Sequence, residues 1–429
     1  MKFSIKDGKG QLKLWIDGIL ATAFIFFMIF GIFSLSAFRI FDVLDPVGDA
    51  LSDFEFTDYV FSQLRTEPPA DTNVVLVNFG PPEGGRGLIA EVVRIVGKYD
   101  PAAVGIDSFF PVLKEEDPVA DSLLSKVLSN IDNLVMVSRV EGYDESTDTF
   151  EEFFYSHDTF LINAKTAIAN LETNAAHQED MKVVRRFPPK RTVNGLEEIA
   201  FGAQLASYIA PKKVEKFLGR DNEYEVINFR GNIVDPYQAG AAQYGGRFFA
   251  LDYVDILTEN FTEDLLKDKI VIIGYLGNNL FDTSWDDKFY TPINKKPAGR
   301  ANPDMYGPVV HANIAAMILN EDYVGNMSQE QGVIFAIILC FINVLLFLQI
   351  YRKLPKWYDG ITKVIQLIEA LLIVLIIVYA FHVFSLKLDL TLAIVAILLS
   401  GDLIEVYNGV LKNLFNKEQR RLLFKPRSN

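Results

Sequence analysis

Four uninterrupted apolar stretches of about 20 residues limit what this chain can become. They are "GILATAFIFFMIFGIFSLSAF" at 18–38, "GVIFAIILCFINVLLFLQIY" at 332–351, "VIQLIEALLIVLIIVYAFHVF" at 364–384 and "LTLAIVAILLSGDLIEVYNGV" at 390–410. Each is long enough to cross a hydrocarbon core of about 30 Å as a helix. The expected organisation is a cytoplasmic leader at 1–17, one transmembrane helix, an external domain at 39–331, three transmembrane helices, and a basic tail at 411–429. Lys2, Lys6, Lys9 and Lys13 precede the first stretch and Ser34 and Ser36 close it, which is the outline of a signal peptide. Signal-peptide cores run about 7 to 15 residues, so the length favours an uncleaved anchor.

Lys and Arg crowd the leader, the loop "YRKLPKWYDGITK" and the tail "LKNLFNKEQRRLLFKPRSN". The expected orientation therefore puts both termini in the cytoplasm of a bacterial inner membrane and the large domain in the periplasm or the open exterior. Segment 39–331 holds 26 Lys+Arg against 47 Asp+Glu, within a chain of net charge −14. An acidic surface of this kind is solvated and does not grip nucleic acid. The single cysteine, Cys340, falls in the second apolar stretch, so the external domain has no disulfide to rely on. Its length suffices for a self-supporting core.

Within that domain apolar runs alternate with helical periodicity. "NVVLVNF" at 73–79, "AAVGID" at 102–107, "NLVMVSR" at 133–139 and "KIVIIG" at 269–274 read as buried strands, and 86–100 and 117–130 as helices between the first three. That alternation predicts an α/β domain with a largely parallel sheet and right-handed crossovers. Further on, "EGYDESTDTFEEFF" reads as an acidic surface loop, and "AIANLET" and "MKVVRRF" as short strands of an antiparallel edge. Residues 195–210 read as one amphipathic helix and 306–319 as a helix leading to the second span.

The order "VVLVNFG…RGLIAEVV…PAAVGIDSFF" and then "INFRG…FALDYVDIL…LLKDKIVIIGYLGNNLFDTSWDDKFYTP…YGPVVHANIAAMIL" resembles the type-two CHASE domain, a cyclase/histidine-kinase-associated sensory extracellular domain. The resemblance covers nearly all of 70–325. It implies a sensory role and a layout of one span before the domain and three after. This chain departs from the pattern after its first strand, where Asn78 and "GPPEGG" stand in place of an acidic residue and a tryptophan-proline stretch. The family usually continues into a cyclase or kinase, whereas about 19 residues follow the last span here, so output is expected from separate proteins.

The loop after the strand at 269–274 is where α/β proteins place ligands. Its residues Gly274, Gly277, Asn278 and Asn279 fit neither a dinucleotide fingerprint nor a P-loop, so they are candidates for a small ligand or for a plain turn. Asp107 at a strand end, Arg86 before a helix and His311 near the start of another complete the candidate ligand set. The bland readings are a loop-bonding carboxylate, a surface-pairing arginine and a packed histidine. Asp282, Asp286 and Asp287 with His311 match no calcium or zinc spacing, so turn-forming aspartates are the expectation and no metal or other cofactor is assigned. No catalytic frame for a hydrolase is present, and no enzyme activity is expected.

Asp402 and Glu405 in the fourth apolar stretch and Glu369 in the third are carboxylates at membrane depth. No Lys or Arg lies within the stretches to pair with them. Such groups are expected to be protonated, to face a polar crevice or to meet a basic group of another chain. Glu405 alternatively reaches the cytoplasmic interface, and His382 is expected at the outer one. The functional expectation is a membrane-anchored sensory or receptor subunit that relays a signal or partner contact to separate signalling proteins. A structural scaffold of a cell-envelope complex without a small-molecule ligand is the alternative, and homo-oligomerisation stays open.

Overall fold

The computed structural model describes residues 5–33, 56–65, 68–144, 149–171, 183–233, 248–280, 282, 284, 287–294 and 303–412. The chain divides into two units, Asp53–Val324 and Met1–Ser52 with Gly325–Asn429.

The second unit holds four helices long and apolar enough to cross a membrane. They are TM1 (Ile5–Phe33), TM2 (Gln329–Lys353), TM3 (Tyr358–Phe384) and TM4 (Thr391–Val406, continued by a wide turn at Tyr407–Leu411). TM4 is the hub, packing on TM1, TM2 and TM3. Ala393, Ala396 and Ile397 of TM4 meet Cys340, Val344 and Phe347 of TM2 and Ala21 and Ile25 of TM1. Small side chains at such seams let helices approach closely where lipid offers no hydrophobic drive. Among the described residues the apolar window of TM1 is Gln11–Gly31, and residues 34–38 of the expected 18–38 lie outside them. Asp17 falls inside that window because its charge is met within the chain: its carboxylate accepts from Arg352 at 2.7 Å and Lys412 at 2.9 Å.

The external unit is a three-layer α/β domain. Its strands are β1 (Asp71–Asn78), β2 (Ala103–Asp107), β3 (Leu134–Asp144), β4 (Thr149–Phe154), β5 (Lys165–Ile168), β6 (Lys190–Val193), β7 (Leu196–Ile199), β8 (Phe248–Leu251) and β9 (Ile270–Gly274). Its main helices are α1 (Gly85–Gly97), α2 (Pro118–Leu128), α3 (Phe201–Ile209), α4 (Pro211–Leu218), α5 (Tyr253–Leu257) and α6 (Gly307–Asn320). The seven-stranded sheet runs β8-β1-β9-β2-β3-β4, with β5 also on β3. Every pairing is parallel except β3 with β4. Both faces are covered, which is why β1, β2 and β9 are continuous Val/Ile runs and not alternating ones. Val75, Val104 and Val271 pack with α1 and α2, and α3 and α6 take the opposite face.

Three expectations need correction. Residues 141–154 are not a loop: β3 runs on to Asp144 and turns back as β4, with Tyr143 opposite Phe150, so aromatic cross-strand pairs outweigh the acidic composition. Residues 145–148 lie outside the described residues. The helix expected at 195–210 begins only at Phe201, because Asn194 and Gly195 adopt φ of 52° and 81° and close a β6–β7 hairpin. The segment "AIANLET" contributes to β5, which joins β3 in parallel and not as an antiparallel edge. In "MKVVRRF", Met181 and Lys182 lie outside the described residues, and Arg186–Phe187 pairs antiparallel with Glu225–Val226.

Candidate functional site

Parallel strands aim their carboxyl ends at one edge, and in β1, β9 and β2 the last residues form one row: Asn78, Gly274, Asp107. Asn78 is fully buried. Its Nδ2 donates to Gly277 O at 3.0 Å, while its Oδ1 accepts from Leu276 N at 3.0 Å and Gly80 N at 3.2 Å. An ionised aspartate would lack the donor for Gly277, so the departure at this position has a local physical reason.

Two further amides of the loop are also committed. Asn278 N–H donates to Asp282 Oδ2 at 2.9 Å, and Leu280 N–H to Asp252 Oδ2 at 2.8 Å. Gly277 has φ of +97°, and a Cβ there would stand 2.6 Å from both Asp282 Cβ and Tyr306 Oη. Gly274 is required for a different reason, since a Cβ would lie 2.5 Å from Pro308 Cγ of α6. Gly274, Gly277 and Asn278 thus serve close packing and the turn, with the Leu276, Asn278 and Leu280 amides spent internally. Asn279 contributes through its carbonyl, which accepts from Asp282 N at 3.0 Å.

Asp282 is the organiser of this turn. Its second oxygen accepts from Ser284 N at 2.8 Å, and these backbone donors hold its carboxyl below the usual carboxylate range. Asp286 lies outside the described residues, and Asp287 is exposed at φ of 56°. Among the described residues no group of three His, Cys, Asp or Glu is placed to hold a metal ion.

Arg86 does not offer itself to an anion. It is buried against Asp121 at 2.5 Å, donates to Val112 O at 2.7 Å and lies over the rings of Phe110 and Phe160. The expected ligand arginine is a staple between α1, α2 and the loop after β2.

Asp107 and His311 are brought together. His311, one turn into α6, is 3% exposed and stacks edge-on against Phe201 of α3. Its Nε2 stands 4.0 Å from Asp107 Oδ2, and its Nδ1 is enclosed without a partner among the described residues. Burial pushes the imidazole down to about 4. Burial, with Asp287 nearby, pushes the Asp107 carboxyl up to about 7. The two are therefore neutral neighbours near pH 6 and not an ion pair. Asp107 accepts no hydrogen bond from the described residues, although its side chain is only 16% exposed. Glu198 shows the contrast, since its buried carboxylate takes the hydroxyls of Ser138, Tyr155 and Thr166. Space at Asp107 comes from α6: a Cβ on Gly307 would lie 3.6 Å from Asp107 Oδ2 and from the Phe289 ring. The arrangement is a carboxyl with no hydrogen-bond donor among the described residues, able to hold or release a proton, facing the first turn of a 14-residue helix at the sheet's carboxyl edge.

In the membrane unit the expectation for Asp402 is corrected. Its Oδ2 accepts from Lys363 of TM3 at 2.6 Å, because TM3 starts earlier than the apolar stretch that suggested it. No second chain is needed to neutralise it. Glu405 is exposed, and Glu369 is half-buried.

A family model described as the CHASE2 domain matches residues 26–347. No curated protein and no solved structure matches the chain.

Proposed function

Because the chain belongs to the CHASE2 family of sensory extracellular domains, we propose that it is a receptor subunit whose external domain registers a signal or partner at the Asp107–His311 edge and relays it through its spans to separate proteins. The observation that carries this reading is the unbonded Asp107 carboxyl against α6, the last helix before TM2 in the chain. Anything that bonds or discharges Asp107 acts on Gly307 and His311, and both belong to the helix whose next long neighbour enters the membrane. The basic flanks of the spans favour an inner-membrane topology with both termini cytoplasmic and the domain periplasmic or extracellular. The reading invokes no enzymatic step.

One observation favours the scaffold alternative. Val119 and Leu123, four residues apart on α2, are 77% and 42% exposed, and Val112 before them is 65% exposed. An apolar cluster on a charged surface is what a protein partner covers.

Purification of the tagged full-length protein in gentle detergent from its own host, followed by mass spectrometry, tests the two. A stoichiometric kinase, cyclase or transporter supports the receptor subunit. Recovery with external envelope proteins alone, in equal yield from Asp107→Asn, moves the assignment to the scaffold.

A further inference from the structure

Three polar side chains stand within the seams of TM2, TM3 and TM4, and each has an oxygen enclosed without a donor among the described residues. Asn343 of TM2 is 1% exposed; its Nδ2 reaches Leu339 O at 3.4 Å, and its Oδ1 has no partner. Gln366 of TM3 is also 1% exposed; its Nε2 donates to Ile397 O at 2.8 Å and Leu398 O at 3.0 Å of TM4, and its Oε1 has no partner. Glu369, one turn further along TM3, faces the Asn343 side chain, with its Oε2 enclosed and unpartnered.

The depths agree. Glu369 is six residues beyond Lys363, about 9 Å into the membrane at about 1.5 Å per residue. Asn343 is nine residues before Arg352, about 14 Å in. Asn343 Nδ2 donates to the Glu369 carboxylate, yet one oxygen on each of the three side chains stays without a donor among the described residues, in surroundings where water does not make up the difference. A bare carboxylate at this depth costs several kcal/mol. Three basic groups at the span ends are already engaged: Lys363 with Asp402, Arg352 and Lys412 with Asp17. Within about two turns on the three helices, the other titratable groups are Cys340 on TM2, Asp359 and Lys363 on TM3, and Asp402 and Glu405 on TM4. Lys363 and Asp402 neutralise each other, Asp359 and Glu405 are exposed carboxylates, and a buried thiol is no counter-charge.

We propose that Asn343, Gln366 and Glu369 form an intramembrane proton-binding site. The proton resides on Glu369: the carboxylate takes it from hydronium, releasing water, and the resulting O–H turns the enclosed Oε2 from an unpartnered acceptor into a donor. Loss of that proton leaves a naked charge between TM2 and TM3, so the protonation state is coupled to how these helices pack. The site is independent of the external ligand reading and survives its failure.

The test uses the full-length protein in lipid nanodiscs and a hydrophobic carbodiimide, which adds to protonated carboxyls in apolar surroundings. The labelled peptide is identified by mass spectrometry, and the carboxyl C=O stretch is followed by infrared difference spectroscopy. The expected result is labelling at Glu369 near neutral pH that declines as pH rises, together with a neutral-acid C=O band that Glu369→Gln abolishes. Sodium at fixed pH is expected to leave labelling unchanged; protection by sodium overturns the proton in favour of a metal cation. Absence of the neutral-acid band in the wild-type protein overturns the site altogether.

Discussion

At the residue scale, Asp107 and His311 carry opposite pH signatures. The folded Asp107 carboxyl, raised to about 7, holds its proton where the unfolded chain has lost it, so its contribution to stability falls as pH rises from about 4 to about 7. Folded His311, lowered to about 4, stays neutral where the unfolded chain is charged, so its contribution rises from about 4 to about 6.5. Each is of the order of 3 kcal/mol, and over the shared interval they largely cancel. Asp304, raised to about 6 by burial, adds a falling slope in every variant. The expected outcome is that Asp107→Asn shows a thermal midpoint that climbs more steeply with pH between about 4 and 6.5 than the parent. His311→Gln should show one that declines more steeply over the same interval. Parallel profiles for the two variants, measured on the full-length protein in detergent, would remove the pair from the site. The same residues show why a sequence reading stops short: Asp107 and His311 are legible as candidates singly, but their meeting depends on α6 folding back over β2, about 200 positions later, which no local pattern records.

At the element scale, the legible parts were those whose pattern repeats locally. β1, β2 and β9 read correctly because a strand covered on both faces writes itself as an apolar run. The β6–β7 hairpin reads as helix because Leu196, Ile199, Ala203 and Ala206 keep a helical spacing from β7 into α3, while the "NG" at Asn194 and Gly195 is the stronger signal. Ionic links between spans were not legible at all, since partners lie 335 and 395 positions apart in the Asp17 clamp. That clamp ties TM1 to TM2 and to the end of TM4, with Asp17 11% exposed and Arg352 and Lys412 at 41% and 35%. Its cations are half in solvent, so Asp17→Leu should cost about 1 kcal/mol, well short of a fully buried pair. Thermal unfolding of Asp17→Leu, Arg352→Leu and the double variant measures it. A double variant no worse than the poorer single shows that the residues act as one contact, and fully additive losses would show that they do not.

At the scale of the whole molecule, the two units carry opposite charge balances, and membrane insertion reads only one of them. Acidic residues contribute little to orientation, whereas Lys and Arg within about 20 residues of span ends decide it. The end of TM2, the start of TM3 and the link between them carry Arg352, Lys353, Lys356 and Lys363 in a dozen positions, while the link between TM3 and TM4 has Lys387 near Asp389. That asymmetry predicts that Lys356 is cytoplasmic and that residues such as Glu263, 59% exposed on the external unit, face outward. The chain is suited to the measurement, because its sole cysteine, Cys340, is buried in TM2 and can be replaced by Ser. In that background a membrane-impermeant maleimide should label Glu263→Cys in spheroplasts and Lys356→Cys only after lysis. The reverse pattern would place the sensory domain in the cytoplasm, and Asp107 would then sample a compartment whose pH and small molecules the cell itself controls. Labelling of Glu263→Cys from outside instead exposes Asp107, with its proton affinity near 7, to whatever the surroundings supply.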